Sequence, residues 1–336
     1  MITLEDDELV FRFPDVHEDA VCSISLQRTL RIPDDDKDYP LPPGLGDFPL
    51  RHLDDYSRNI PSSWMARGGV IMPMHQAEAM WINFGGVRGG GYPFAIKIAT
   101  GKINAVSGEA WTPNLNGDPQ DYVIIPDQPW LDGYCIEKGL IRQFVAMPLG
   151  DGYSAEEQIT GKADHGGIQI LVYPMKAKRY EELKKNKADV SLDRAMLCMS
   201  ESAPSAPDMG LAPGGRMKQE IYDDDYGLDA WDQRHSSKCF VTIANSTTWL
   251  GITGEAPPTT PPSAADYTDA GLPWFDFFGA DAKAMEGAAA LKNLSSVASI
   301  GKQKGKVPLS ENKTIDVERV ITLRRKSDDT VREGML

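Results

Sequence analysis

Between residues 68 and 175 the apolar runs are strand-length, and turn residues punctuate them: GGVIM, AMWINF, YPFAIKIA and KINAVSG, then YVIIP, LIRQFVAM and GGIQILVYPM. This punctuation is the tightest constraint on the fold. A helix of ordinary length needs an unbroken 3.6-residue period, whereas a strand needs roughly four to eight residues between turn signals. LVFRF (9–13) and VCSISLQRTLRI (21–32) begin the series, and KCFVTIA (238–244), TTWLGITG (247–254) and TIDVERVITLRR (314–325) extend it. TGK at 100–102 is expected to be a tight hairpin turn. PDDDKDYPLPPGLGDFPL (33–50), with five prolines, reads as an ordered wrapping loop.

Helical signals are few. Ser154-Ala-Glu-Glu157 has the spacing of a capping box. Longer helices are expected over 176–199 and 279–301, and SESAPSAPDMGLAPGG (200–215) reads as a linker. The class this predicts is α+β, mainly antiparallel, with peripheral helices.

Composition excludes several function classes. The chain has 336 residues, 41% hydrophobic and 25% charged, which is the profile of a soluble globular protein. No apolar run approaches the roughly 18 residues of a membrane span. The first residues, MITLEDDELVFRF, carry acidic groups where a secretory signal carries basic ones, and Cys22, Cys135, Cys198 and Cys239 form no C-x-x-C pair. A cytoplasmic protein with reduced cysteines is expected. The net charge of −14 repels nucleic acid and anionic membrane surfaces. That charge is uneven: residues 1–60 hold 14 acidic and 6 basic side chains, residues 301–336 hold 6 acidic and 9 basic.

Two stretches resemble each other. SGEAWTPNLNGDPQDYVIIPDQPWLD (107–132) and TGEAPPTTPPSAADYTDAGLPWFD (253–276) share a hydroxyl-Gly-Glu-Ala head, an Asp-Tyr centre and a Pro-Trp-apolar-Asp tail. Gly68-Gly69 and Phe94 recur at Gly214-Gly215 and Phe240 with the same offset, 146, as the two heads. The pattern is read as an internal duplication, giving pseudo-symmetric halves at 1–205 and 206–336.

Glu109 and Glu255 head these stretches, and Asp132 and Asp276 close them. A symmetry axis near the glutamates would make a carboxylate pair fit for acid–base hydrolysis, of a carbohydrate for instance, with Trp111, Trp130 and Trp274 as stacking surfaces for the ligand. The competing reading is structural: carboxylates that lock turns and tryptophans that bury. Metal signals are fragments. Asp34, Asp36 and Asp38 start like a calcium loop, but Tyr39 and Leu45 stand where glycine and glutamate belong. DDDYGLDAWD (223–232), His235 with Cys239 and His75 with Glu78 match no full ligand set. No G-x-S-x-G elbow is present, and GGVRGGGYP (85–93) lacks a phosphate-loop lysine, leaving Arg88 as a lone cation.

GGVIMPMHQAEAMWINF, NAVSGEAW, PQDYVIIPDQPWLDG, IRQFVAMPLGDGYSAEEQ and GLPWFDFF resemble a widespread microbial family of uncharacterised proteins, over residues 60–280. That resemblance implies no activity, cofactor or site residue. The expectation is a binding or self-assembling protein without cofactor or metal, homo-oligomeric, able to take a small molecule, with neither nucleic acid nor a membrane span as partner. A carboxylate-dependent hydrolase using Glu109 or Glu255 is the alternative, and a cation-dependent module the next. GLPWFDFFG (271–279) is the expected association patch if its aromatics are not buried.

Overall fold

The punctuated runs become strands, as expected of alternating β-branched and aromatic residues between turn formers. The computed structural model describes residues 1–85, 91–186, 208–278 and 283–324. Ten strands make the larger sheet. Its main path crosses Ile2–Glu5, Glu8–Arg12, Val21–Thr29, Ala79–Gly85, Leu140–Pro148, Met209–Lys218 and Asp38–Tyr39, antiparallel at every step but the last. Trp130–Leu131 pairs alongside Ala79–Gly85, with Trp130 opposite Asn83. The second sheet has seven strands, ordered Ile103–Asn104, Phe94–Thr100, Ile168–Pro174, Ser237–Asn245, Val70–Met74 and Arg51–His52, with Val123–Ile125 added to Phe94–Thr100. A separate parallel ribbon joins Trp274–Phe278 to Val320–Arg324. The fold is α+β and mainly antiparallel.

Both sheets feed one core. Ile24, Ile82 and Phe144 of the larger sheet lie in the same buried cluster as Ile96, Ile170 and Val241 of the smaller. Every residue of Phe94–Thr100 and Ile168–Pro174 is buried, so these strands are covered on both faces. A polar tie crosses the core: the Tyr134 hydroxyl accepts from Thr100 Oγ1 at 2.7 Å and donates to the Leu211 carbonyl at 2.9 Å. That leaves no polar atom of the ring stranded in an apolar environment. No described helix is long and apolar enough to cross a membrane.

Local signals held where the chemistry was local. Gly101 and Lys102 both take positive φ in the hairpin between Phe94–Thr100 and Ile103–Asn104. Ser154 and Glu157 form a reciprocal capping box at the start of Ala155–Thr160. Four segments differ from expectation, the first being the loop expected over 33–50, which holds strands Asp38–Tyr39 and Gly44–Asp47. TTWLGITG is helix Ser246–Thr253, because the Asn245 side chain caps the Thr247 amide and the helix buries Trp249 and Ile252. The helix expected over 279–301 is two short ones, Ala289–Lys292 and Val297–Gln303, because Ser296 caps a new start. Of the expected linker, residues 209–215 lie inside strand Met209–Lys218, where Gly214 and Gly215 leave no room for a side chain against Val145 and Pro33. Residues 200–207, Arg88 and Cys198 lie outside the described residues, as does the helix expected at 176–199 beyond Asn186.

Described strands on either side of residues 187–207 share both sheets. Met209–Lys218 pairs with Leu140–Pro148, and Ser237–Asn245 sits between Ile168–Pro174 and Val70–Met74. Strands before residue 187 and after residue 207 thus interleave in both sheets.

Candidate functional site: an aromatic cleft

The two similar heads make one and the same turn. Ser107 Oγ accepts from the Glu109 amide at 3.3 Å, and Thr253 Oγ1 accepts from the Glu255 amide at 3.0 Å. Gly108 (φ 72°) and Gly254 (φ 74°) each donate their N–H to the carbonyl four residues back, of Asn104 and Leu250. This is the left-handed cap that ends a helical turn and favours glycine. Past the turn the local structures part. Glu109 is exposed, whereas Glu255 is paired with Arg51 at 2.6 Å, and Arg51 also holds Asp7. No hydrogen bond or ion pair among the described residues joins the two glutamates.

The centres differ in the same way. Asp121 is buried against Lys97, whose ammonium also donates to Thr112 Oγ1 and the Asn114 carbonyl. Asp266 is instead the third residue of a surface capping box with Ser263. Trp111 lies 5.7 Å from the Lys97 ammonium and covers that buried pair. Trp274 is fully buried, its indole N–H donating to Thr268 Oγ1 at 3.1 Å. Asp276 alternates with Phe275 and so turns away from the cleft that Phe275 lines, its Oδ1 buried without a hydrogen-bond partner among the described residues.

Trp130 and Asp132 stand elsewhere, at an open cleft of about 370 Å³. One wall is Trp81 and Trp130 from paired strands, their rings edge to face at 6.0 Å. Phe277 packs behind Trp130 at 4.8 Å and fixes its plane. Leu41, Pro42 and Pro43 of the proline-rich loop form a second wall. Phe275 and Leu323 of the ribbon form a third. Reciprocal backbone bonds hold these two walls together: Leu41 N–H donates to the Phe275 carbonyl at 2.7 Å, and Phe275 N–H to the Leu41 carbonyl at 2.9 Å.

Asp132 is the acidic group of this cleft. Gln219 clasps it at two points: its amide Nε2 donates to Oδ2 at 2.7 Å, and its Oε1 accepts from the Asp132 amide at 3.0 Å. Burial pushes the carboxyl up to about 7, while hydrogen bonds from Trp130 and Gln219 pull against that rise. A carboxyl at that value keeps its proton below about pH 7, where it can donate as well as accept a hydrogen bond.

The acidic loops are occupied by the protein's own donors. Asp34 accepts from the Ala298 amide, Asp38 pairs with Arg216, and Asp224 accepts from the Tyr122 hydroxyl and the Trp231 indole. No cluster of three His, Cys, Asp or Glu suited to a metal occurs among the described residues. His235 contacts Asp232, not Cys239, and the His75 amide donates to Glu78. Cys135 and Cys239 are buried, which pushes each thiol up to about 12.

No protein-family model, curated protein or solved structure matches this chain. Trp130 and Asp132 were legible as the tail of a motif. Trp81, Gln219 and Phe275 were not, since only strand pairing and the returning ribbon bring them there.

Proposed function

We propose that this is a binding protein and that its ligand lies in the Trp81–Trp130 cleft. The supporting observation is the cleft itself: a volume in the range of small-molecule sites, mostly apolar walls and one buried carboxyl. Two indoles offer stacking surface, and the prolines and Leu41 add rigid apolar contact. A single hydrogen-bonding acid selects a ligand with a flat apolar body and one polar group. A sugar ring, bearing a hydroxyl on most carbons, would leave most of its polar groups unmatched against such walls. Paired-carboxylate hydrolysis draws no support from this site, because Asp132 is its one carboxylate among the described residues and Asp276 faces away.

The test is a titration with the neutral fluorescent dye Nile red, followed by its displacement with indoles, aromatic acids and neutral sugars. Trp130→Ala and Trp81→Ala should weaken dye binding at least about tenfold, the effect of losing one stacked ring of roughly 1.4 kcal/mol. Trp111→Ala should leave it unchanged. Equal binding by all three variants would remove the cleft as the site.

A further inference from the structure

The walls of the Trp81–Trp130 cleft bear on the charge of what it takes. The ring planes of Trp81 and Trp130 stand at 76° to each other, so their faces bound a corner rather than a slot. Phe275 adds a third aromatic side chain to the same cleft. The face of each ring carries the negative part of its quadrupole and attracts a cation within about 6 Å of the ring centre. Phe277 packs against the Trp130 ring at 4.8 Å, so the corner is ordered before a ligand arrives.

Charge in the cleft is of one sign. Asp132 is its acid, and no lysine, arginine or histidine lines it among the described residues. What acts on the Asp132 carboxyl is burial and the neutral donors of Trp130 and Gln219. Glu78 and Asp121, also buried, each have a cation of their own, Arg28 and Lys97. An anionic ligand would set a like charge beside Asp132, and a neutral one would leave the ionised carboxylate uncompensated in an apolar site. A cation removes that cost and itself favours the ionised form. The net charge of −14 also draws cations towards the chain from a distance.

We propose, on the reading that this cleft is the binding site, that its ligand is an organic ammonium ion on a flat apolar body, the cationic nitrogen lying in the aromatic corner beside Asp132. The body stacks on an indole and meets Leu41 and the prolines, while the ring faces and one carboxylate hold the nitrogen. Methyl groups on that nitrogen suit the corner, because they bring the charge against the rings through apolar contact and need no hydrogen-bond acceptor.

Displacement of Nile red from the full chain tests this, with phenyltrimethylammonium, its neutral carbon isostere tert-butylbenzene, and the anion benzoate as competitors. The cation should displace the dye at a concentration at least about tenfold below that of the isostere, as a desolvated cation–aromatic contact implies. Benzoate should displace it least. Asp132→Asn keeps an acceptor for Gln219 and removes the charge. It should bind the dye as before and cut the cation's advantage at least about threefold, the effect of losing one ion pair. Should that variant lose its far-ultraviolet circular dichroism, the wild-type comparison still decides. Equal displacement by cation and isostere, or stronger displacement by benzoate, overturns the cationic ligand and leaves the cleft as the site. So does an Asp132→Asn variant that binds the dye and retains the whole cation preference. Dye binding that Trp81→Ala and Trp130→Ala both leave intact instead removes the cleft, and the cationic ligand with it.

Discussion

Residues 107–132 and 253–276 begin alike and end in different environments. Each head is a hydroxyl-Gly-Glu turn with a left-handed glycine and an amide bonded four residues back. Beyond it the first stretch runs inward: Asp121 meets Lys97 in the core, and Asp132 reaches the cleft. The second stays nearer the surface, with Asp266 capping a short helix, before Trp274 drops into the core as the ribbon begins. A shared residue pattern thus specifies a shared turn. What lies beyond the turn is set by the partners each strand finds.

The largest test of that contrast is at the two central aspartates. Asp121→Ala strands the Lys97 ammonium, 1% exposed, without its carboxylate. Breaking such a pair costs about 3–5 kcal/mol, because the remaining charge stays buried. Asp266→Ala removes half of an exposed capping box and should cost about 1 kcal/mol or less. Urea unfolding of both variants reads the difference. Similar losses would mean that the two aspartates carry the same structural weight, and the contrast would go.

Lys97 also marks what a single sequence withholds. YPFAIKIA shows a lysine in an apolar strand, a visible anomaly, but its partner is 24 positions away and its covering Trp111 follows a hairpin. Strands, the TGK turn and the Ser154 capping box were legible because their causes lie within a few residues. TTWLGITG misled because Thr, Trp and Ile favour strands when nothing else acts, and here an Asn245 cap and a buried Trp249 act together. Proline and glycine in 209–215 read as linker, yet glycine is what the close approach of Val145 and Pro33 requires. The cleft was half visible. Trp130 and Asp132 stood in a repeated tail, while Trp81 and Phe275 arrive from strands 49 residues before and 145 after Trp130.

A smaller effect separates Asp132 from the rest of its stretch. Its folded value of about 7 lies above that of an unfolded aspartate, about 3.9. The native state therefore holds the extra proton between these values, and the group's contribution to stability declines as pH rises through that window. Above about pH 7 both states are ionised and the decline stops. Asp132→Asn removes the titration. Relative to wild type, the variant should gain about 3 kcal/mol between pH 5 and pH 8, close to two units of a one-proton slope. Chemical denaturation at the two pH values measures it. A constant difference would place the carboxyl in water, and with it would go the buried acid proposed for the ligand.

The smallest expected effect bears on the part the two stretches share. At both Gly108 and Gly254 an alanine must adopt positive φ, at about 1 kcal/mol or somewhat more. At Gly254 that is the whole cost, since no heavy atom lies within 4 Å of where the methyl would sit. At Gly108 the methyl would come within 3.0 Å of Leu291 and 3.1 Å of Ala290. Leu291 is fully buried in helix Ala289–Lys292, so it cannot retreat without disturbing core contacts. Gly108→Ala should then exceed Gly254→Ala by roughly a further 1 kcal/mol, the low end of overpacking penalties. Melting curves of both variants resolve that gap. An equal loss would show that the short helix yields, leaving the two turns equivalent in energy as well as in geometry.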